Sequence, residues 1–369
     1  LREGGSEAVA EGGAGALAAG EAARGVGGFD RGIGIERRGE EEGKQLRLIA
    51  IVIGQMLTEH LPACLERTNP GRRTMDPQEK QREELENSRS TYMIDSEHAG
   101  ELARLMHQDQ MLTRGMGGLF PEFTDGPPLP AGGRVLDLAC GPGGWALEVA
   151  FTYPKVEVIG VDISQSVIEY AQAQARSRGL DNAHFQVMDV MKPLAFPKAS
   201  FDLINGRLLV GFMLPAAWPK LLAECHRLLK PGGVLRLTEA EPALTTSPAA
   251  ERCQALICEA LKKAGQSFSA DGRHFGITPV LARLMRQAGF TDVKLRASFI
   301  EFSMGTDSHY AMLKDWLMLQ ELIQPFLIKM GVASSEELRH LIQQATAEVQ
   351  QEDFCGLYTL ITAWGYRPQ

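Results

Sequence analysis

The sequence predicts an α/β protein: a mostly parallel sheet covered by helices on both faces. Three observations predict it. Short apolar runs alternate with amphipathic helical stretches across residues 134–288. Acids close three of those runs, at Asp137, Asp162 and Asp189. The first run, Val135-Leu136-Asp137-Leu138, leads through Ala139-Cys140 into Gly141-Pro142-Gly143-Gly144 and then into helix-forming residues from Trp145. That is a strand, a tight turn and a helix start in succession.

Taken in order, strands are expected at 134–138, 156–162, 184–188, 201–205 and 233–240. Helices are expected near 144–151, 164–178, 218–229 and 278–288, with Gly289 capping the last. Ahead of the first strand, Asp95 and Ser96 are good helix caps. Leu102, Leu105, Met106 and Leu112 then repeat at i, i+3 and i+4, an amphipathic helix. Gly115-Met116-Gly117-Gly118 breaks it. Two further helical stretches interrupt the late part of the chain, at 243–276 and 306–352. The second carries Trp316, Leu317, Leu319, Leu322, Ile323, Phe326 and Leu327 on an apolar face.

Composition bounds the rest. The chain has 369 residues, 44% hydrophobic content and a net charge of −8. That supports a sizeable core and argues against nucleic acid, which asks for basic grooves. The six cysteines form no C-x-x-C pair and no zinc spacing, so no metal site is expected and reduced thiols in a cytoplasmic protein are. No run reaches the ~20 apolar residues of a membrane helix; the longest candidate, Leu46–Leu57, contains Arg47. Residues 1–43 hold 13 glycines and no periodicity, and read as disordered. Because the sequence opens on Leu1 and a more ordinary stretch begins at Met75-Asp76-Pro77, residues 1–74 read as an extension, one that need not be native, upstream of a functional start near Met75. A regulatory tail with a short apolar helix at 46–57 is the alternative.

The glycine turn is the chemical centre. Glycines let a backbone pass close to a ligand, and the helix start adds free N–H groups and the positive end of a dipole. An adenosine-bearing cofactor is expected there. Gly141 to Ala146 also satisfies the loose G-x-G-x-x-G/A pattern of dinucleotide sites, a weak signal by itself. Asp162, 21 residues past Gly141, has the spacing of a carboxylate that takes ribose hydroxyls.

Five motifs in order carry a resemblance. They are Asp137-Leu138-Ala139-Cys140-Gly141-Pro142-Gly143-Gly144, Gly160-Val161-Asp162, Asp189, Ser200-Phe201-Asp202-Leu203-Ile204-Asn205, and Leu228-Leu229-Lys230-Pro231-Gly232-Gly233-Val234-Leu235. The set resembles the class I S-adenosylmethionine-dependent methyltransferases of the small-molecule type. It is strongest over 133–240. Ala139 stands where the family often has its first glycine. The resemblance implies a Rossmann-like, seven-stranded, mostly parallel sheet. Val293–Met304 and Phe354–Trp364 would form its hairpin-like edge, with one strand antiparallel. It implies a domain over 133–369 with helical insertions at 243–276 and 306–352, and a helical lid over 75–132 that closes the substrate pocket.

The cofactor implied is S-adenosyl-L-methionine. Asp162 would hold both ribose hydroxyls, with Ile163 packing on the adenine. Asp189 would accept from the adenine amino group beside Val190. Gly141, Gly143 and Ala139 would give room for the close approach, and Asp137 would orient the turn or meet the cofactor's amino group through water. Asn205 lies just past strand four, where methyl acceptors sit in this family, and Gln110 on the lid could reach the methionine end. Methyl transfer needs a base only when the acceptor must lose a proton. His107 on the lid helix and His274 in the first insertion are the candidates, and Glu239 and Glu241 are candidate pocket carboxylates. The lid and insertions would roof a largely apolar pocket for a small organic acceptor methylated at oxygen, nitrogen or carbon; their apolar faces would equally suit a homodimer interface. Two alternatives stay open. One is an NAD(P)-dependent oxidoreductase using the same turn, although no Tyr-x-x-x-Lys stands out. The other is a cofactor-binding protein without turnover.

Overall fold

A computed structural model describes residues 92–94, 99–127 and 129–369. The expectations for residues 1–74, for Leu46–Leu57 and for the caps Asp95 and Ser96 lie outside the described residues, as does most of 75–98.

Five strands run parallel: β1 (Arg134–Leu138), β2 (Glu157–Asp162), β3 (Ala183–Val187), β4 (Phe201–Arg207) and β5 (Leu229–Ala240). Two longer strands, β7 (Thr291–Glu301) and β8 (Gly356–Tyr366), close the sheet, β8 lying antiparallel to both β5 and β7. A two-residue strand, β6 (Leu244–Thr245), resumes pairing with β8 just past β5. The order is β3-β2-β1-β4-β5-β8, with β7 beyond β8. This is the Rossmann-like arrangement expected, enlarged by β6. The last two strands fall two or three residues from their expected limits, and β5 begins four residues early because Leu229 already pairs with Phe201.

Alternation along the buried strands sends successive side chains to opposite faces. Val135, Val158, Leu203 and Val234 face α2 (Gly144–Thr152) and α3 (Gln165–Ser177), packing with Trp145, Val149 and Ile168. Leu136, Ile159, Ile204 and Leu235 face the other way, onto Trp218 and Leu222 of α4 (Trp218–Leu228) and Leu281 and Met285 of α6 (Thr278–Gln287). Both faces are therefore dry, which is why these runs read as continuously apolar.

Three further helices wall one end of the sheet. They are α1 (Ala99–Gly115), α5 (Pro248–Lys263) and α7 (His309–Lys329). The second insertion also supplies α8 (Ser335–Glu348), which opens with a full capping box at Ser334 and Glu337. The first insertion is helical only over α5; the rest is β6 and turns. Ile257, Leu261, Ile323, Leu327 and Leu338 join α5, α7 and α8 into a small core of their own. Among the described residues no helix is long and apolar enough to cross a membrane.

Candidate active site

The turn after β1 is built without room for side chains. Gly143 adopts φ 79° as the N-cap of α2, and a Cβ there would come within 2.6 Å of the Phe185 ring. Gly160 on β2 is under the same constraint: a Cβ would lie 2.6 Å from Phe185 and 2.8 Å from Cys140 Sγ. Gly141, at φ 54°, instead faces open space, with only Leu105 at 4.0 Å. Ala139 holds φ 48°, a left-handed conformation that costs a non-glycine residue roughly 1–2 kcal/mol. Strained backbone thus collects where a ligand would pass.

Asp162 ties this turn to the end of β2. Gly141 N–H donates to its Oδ2 at 3.0 Å and Ser164 N–H to its Oδ1 at 3.0 Å. Each carboxylate oxygen can accept more than one hydrogen bond. Asp189 follows β3. It accepts from Met191 N–H at 2.9 Å and pairs with Lys192 at 3.0 Å. Gly141, Asp162 and Asp189 line one cavity of about 440 Å³, together with Asp137, Ala139, Ile163 and Val190. Ile163 is 52% exposed, an apolar side chain presented to the cavity beside the carboxylate.

Below this lies a ladder of polar groups. Asp137, Asn205 and Arg236 are register partners on β1, β4 and β5, so their side chains stand side by side. Asn205 Nδ2 donates to Asp137 Oδ1 at 2.7 Å, and Arg236 Nη1 donates to Asn205 Oδ1 at 2.6 Å. Arg236 also pairs with Glu122, whose side chain is buried. Burial pushes the Asp137 carboxyl up to about 7, against the pull of Asn205 and Arg236. Cys140 is likewise held as a thiol, far above its ordinary range, by burial and by Asp162 and Asp137.

The cavity continues away from the turn. Arg207, at the end of β4, pairs with Asp109 of α1 and donates to Thr113 Oγ1 at 3.1 Å; burial brings its guanidinium down to about 9. A Cβ on Gly144 would run into Asp109, so α1 rests close on the start of α2. Further on, Arg104 of α1 bonds both oxygens of Glu101 at 2.8 Å and reaches Asp315 of α7 at 3.2 Å. The remaining wall there is largely apolar, with Phe212, Ile257, Phe302, Met312, Trp316 and Ile323.

Some expected residues are placed elsewhere. Asn205 is buried in the ladder and outside the cavity lining, because its register partner draws it under the turn. Gly143 serves the helix start and the Phe185 contact rather than the cavity wall. Gln110 and His274 are exposed and outside the lining. His107 is also outside it, with Nδ1 buried and without a hydrogen-bond partner among the described residues. Glu239 lies beneath the wall: it accepts from Leu209 and Val210 N–H at 2.9 and 3.2 Å, and burial lifts it to about 8. Glu241 does line the cavity, yet its carboxylate is occupied by Phe275, Gly276 and Thr278 N–H at 2.8–3.1 Å.

Sequence reasoning missed His309, Asp315 and Gln320, all in the lining and all on α7. Their signal was the polar residues interleaved in that apolar helix. His309 Nδ1 lies 3.0 Å from the Phe302 carbonyl oxygen.

Comparisons with known proteins agree with this geometry. Residues 135–233 match the family model of a methyltransferase domain. Over 177 residues the chain is 30% identical to the demethylmenaquinone methyltransferase of Geobacillus kaustophilus, covering 45% of this chain and 74% of that protein. Over 192 residues it is 31% identical to the ubiquinone/menaquinone biosynthesis C-methyltransferase of Desulfotalea psychrophila, covering 48% and 72%. Among solved structures, phosphoethanolamine N-methyltransferase 2 of Haemonchus contortus, in complex with phosphomonomethylethanolamine and S-adenosylhomocysteine, is 20% identical at a TM-score of 0.43. That match covers 71% of this chain and 53% of that one, so the chain spans about half the nematode protein. So slight a likeness says nothing about an acceptor.

Proposed function

The chain belongs to the class I S-adenosylmethionine-dependent methyltransferases, and from that premise we propose that it methylates a small, largely apolar organic molecule. One observation carries the reading: the cofactor cradle and an apolar chamber form a single cavity of about 440 Å³, the size class of small-ligand sites. One of these relatives is named for demethylmenaquinone and the other for ubiquinone and menaquinone biosynthesis, which agrees with a small-molecule acceptor. The free thiols of Cys140, Cys225, Cys253, Cys258 and Cys355 support a reducing, cytoplasmic setting.

The residues present fit the cofactor. A glycine facing open space, a carboxylate at the cavity wall and an exposed Ile163 match a ribose and a flat base. In this reading Asp162 takes the ribose hydroxyls, Asp189 meets the adenine edge, and Ile163 and Val190 pack on the ring. Asp137 supports the turn from below. When bound, S-adenosylmethionine supplies an electrophilic methyl group on a sulfonium, so the chain's own work is positioning and exclusion of water.

Where the acceptor must give up a proton, His309 is the histidine that faces it. The Phe302 carbonyl can only accept, so Nδ1 carries the hydrogen of the neutral ring and Nε2 is left as the accepting nitrogen. His107 and His274 lie outside the cavity lining and are weaker candidates.

Calorimetric titration with S-adenosylhomocysteine and with NADH tests the cofactor, and methyl-labelled S-adenosylmethionine offered with fractionated small-molecule extracts tests the acceptor. Label entering a low-mass apolar fraction is expected. NADH binding without S-adenosylhomocysteine binding would favour the oxidoreductase alternative; label entering only macromolecules would overturn the acceptor.

A further inference from the structure

Gln320 is the least satisfied polar group of the cavity wall. It is 1% exposed, and neither Oε1 nor Nε2 has a hydrogen-bond partner among the described residues. One turn earlier on α7, Trp316 Nε1 is also buried without a partner. The i, i+4 spacing puts both on one face of the helix, and both line the cavity. A buried amide without partners costs stability, and such groups are rare in folded proteins. Apolar groups such as Met312, Leu319 and Ile323 line the same cavity.

We propose that Gln320, with the Trp316 N–H beside it, recognises the methyl acceptor, and that the acceptor is neutral, otherwise apolar, and carries a carbonyl flanked by an N–H or O–H: a lactam, an amide or a hydroxy-carbonyl compound. The proposal rests on the small-molecule acceptor reading above and adds to it the polar signature of that acceptor. The donor and acceptor inventory sets the class. Gln320 offers donors and an acceptor, and Trp316 adds a donor. A carbonyl takes the donors, and the adjacent N–H or O–H satisfies Oε1. An ammonium supplies donors alone and leaves the Nε2 and Nε1 hydrogens unmatched. A carboxylate supplies acceptors alone, leaves Oε1 unmatched, and meets a region where Glu101 and Asp315 already set two carboxylates against Arg104. His107 also acts on Asp315, from outside the cavity wall.

Two probes separate the donor from the carbonyl: 2-quinolone has both, and 1-methyl-2-quinolone has lost the N–H. Affinities are measured by calorimetry on the full chain saturated with S-adenosylhomocysteine, for the wild type, Gln320→Met, Gln320→Leu and Trp316→Phe, with thermal unfolding of each without ligand. The wild type is expected to prefer 2-quinolone by about tenfold or more, since a site left with an unpaired polar group rejects the analogue. Both Gln320 variants should lose the preference, keep S-adenosylhomocysteine affinity, and melt at a higher temperature than the wild type. Trp316→Phe should weaken both probes alike. Equal affinity for the two probes, binding of neither, a preference that survives in the Gln320 variants, or lower melting in both of them would overturn the proposal. Loss of S-adenosylhomocysteine binding by the wild type would instead overturn the methyltransferase reading, and the melting comparison stands apart from it.

Discussion

Replacing Asp162 by alanine tests the cofactor site directly. Its carboxylate does two things. It holds Gly141 N–H and Ser164 N–H, both at 3.0 Å, and it faces the cavity where the ribose is proposed to bind. Alanine leaves both backbone donors without their acceptor, but the carboxylate is only partly buried, so water can serve them; a loss of about 1 kcal/mol in folding stability is expected. Binding should suffer more. Charge-assisted hydrogen bonds contribute about 1.5–3 kcal/mol, so losing the carboxylate partner of the ribose should cost about 2–3 kcal/mol. That is a rise of roughly 30–150-fold in the Kd for S-adenosylhomocysteine. Asp162→Asn should do little better, because its NH2 would point at a backbone N–H. The assay is isothermal titration calorimetry, with urea unfolding in parallel to confirm a native-like midpoint. A folded Asp162→Ala protein whose Kd moves by less than about threefold would refute the assignment.

Other outcomes rest on the same geometry. Gly160→Ala forces a methyl group against Phe185 and Cys140 and should destabilise the fold by about 1–3 kcal/mol in urea unfolding; an unchanged midpoint would mean the strand moves aside freely. Glu239 is lifted by burial from 4.5 to about 8, and Asp137 from 3.8 to about 7. Their contribution to stability is full below those lower values and is lost as pH rises through the upper ones. The protein should therefore become progressively less stable between about pH 4 and 8 as these two groups are forced to ionise in the folded state. Glu239→Gln should flatten that slope in melts at stepped pH, and a slope as steep as the wild type's would count against the buried carboxyl as its source. His309→Gln should slow methyl transfer by about 10²-fold or more at unchanged S-adenosylhomocysteine affinity if it removes a proton; an unaltered rate and pH profile would remove it from the mechanism.

Much of the fold was legible because the parallel strands are buried on both faces. Runs such as Val158-Ile159-Gly160-Val161 cannot alternate with polar residues when α3 covers one side and α4 the other. The glycine turn was legible because Gly143 and Gly160 lie against Phe185 where a Cβ does not fit, and Asp162 and Asp189 because an acid closing an apolar run is conspicuous. Asn205 was harder. It is four residues into β4, and nothing local says that Asp137 and Arg236 stand on either side of it; that comes only from register between strands 68 and 31 residues away. The apolar end of the cavity was least legible. Residues 306–352 announced an apolar face, but which of its polar members turn inward depends on how α7 is rotated against α1, and the helical period alone does not set that rotation. His309 therefore looked no different from His107.

The pairing of Arg104 with Asp315 has a consequence for how α1 and α7 move. One member belongs to α1 and the other to α7, and Gln108 reinforces the link at 3.4 Å. Removing one partner of such a buried pair costs about 3–5 kcal/mol, because the other charge is left uncompensated, so the pair ties α1 firmly to α7. Any displacement of one helix would then carry the other with it. A substitution at either residue should loosen α1 from α7, read as faster amide hydrogen exchange along α1.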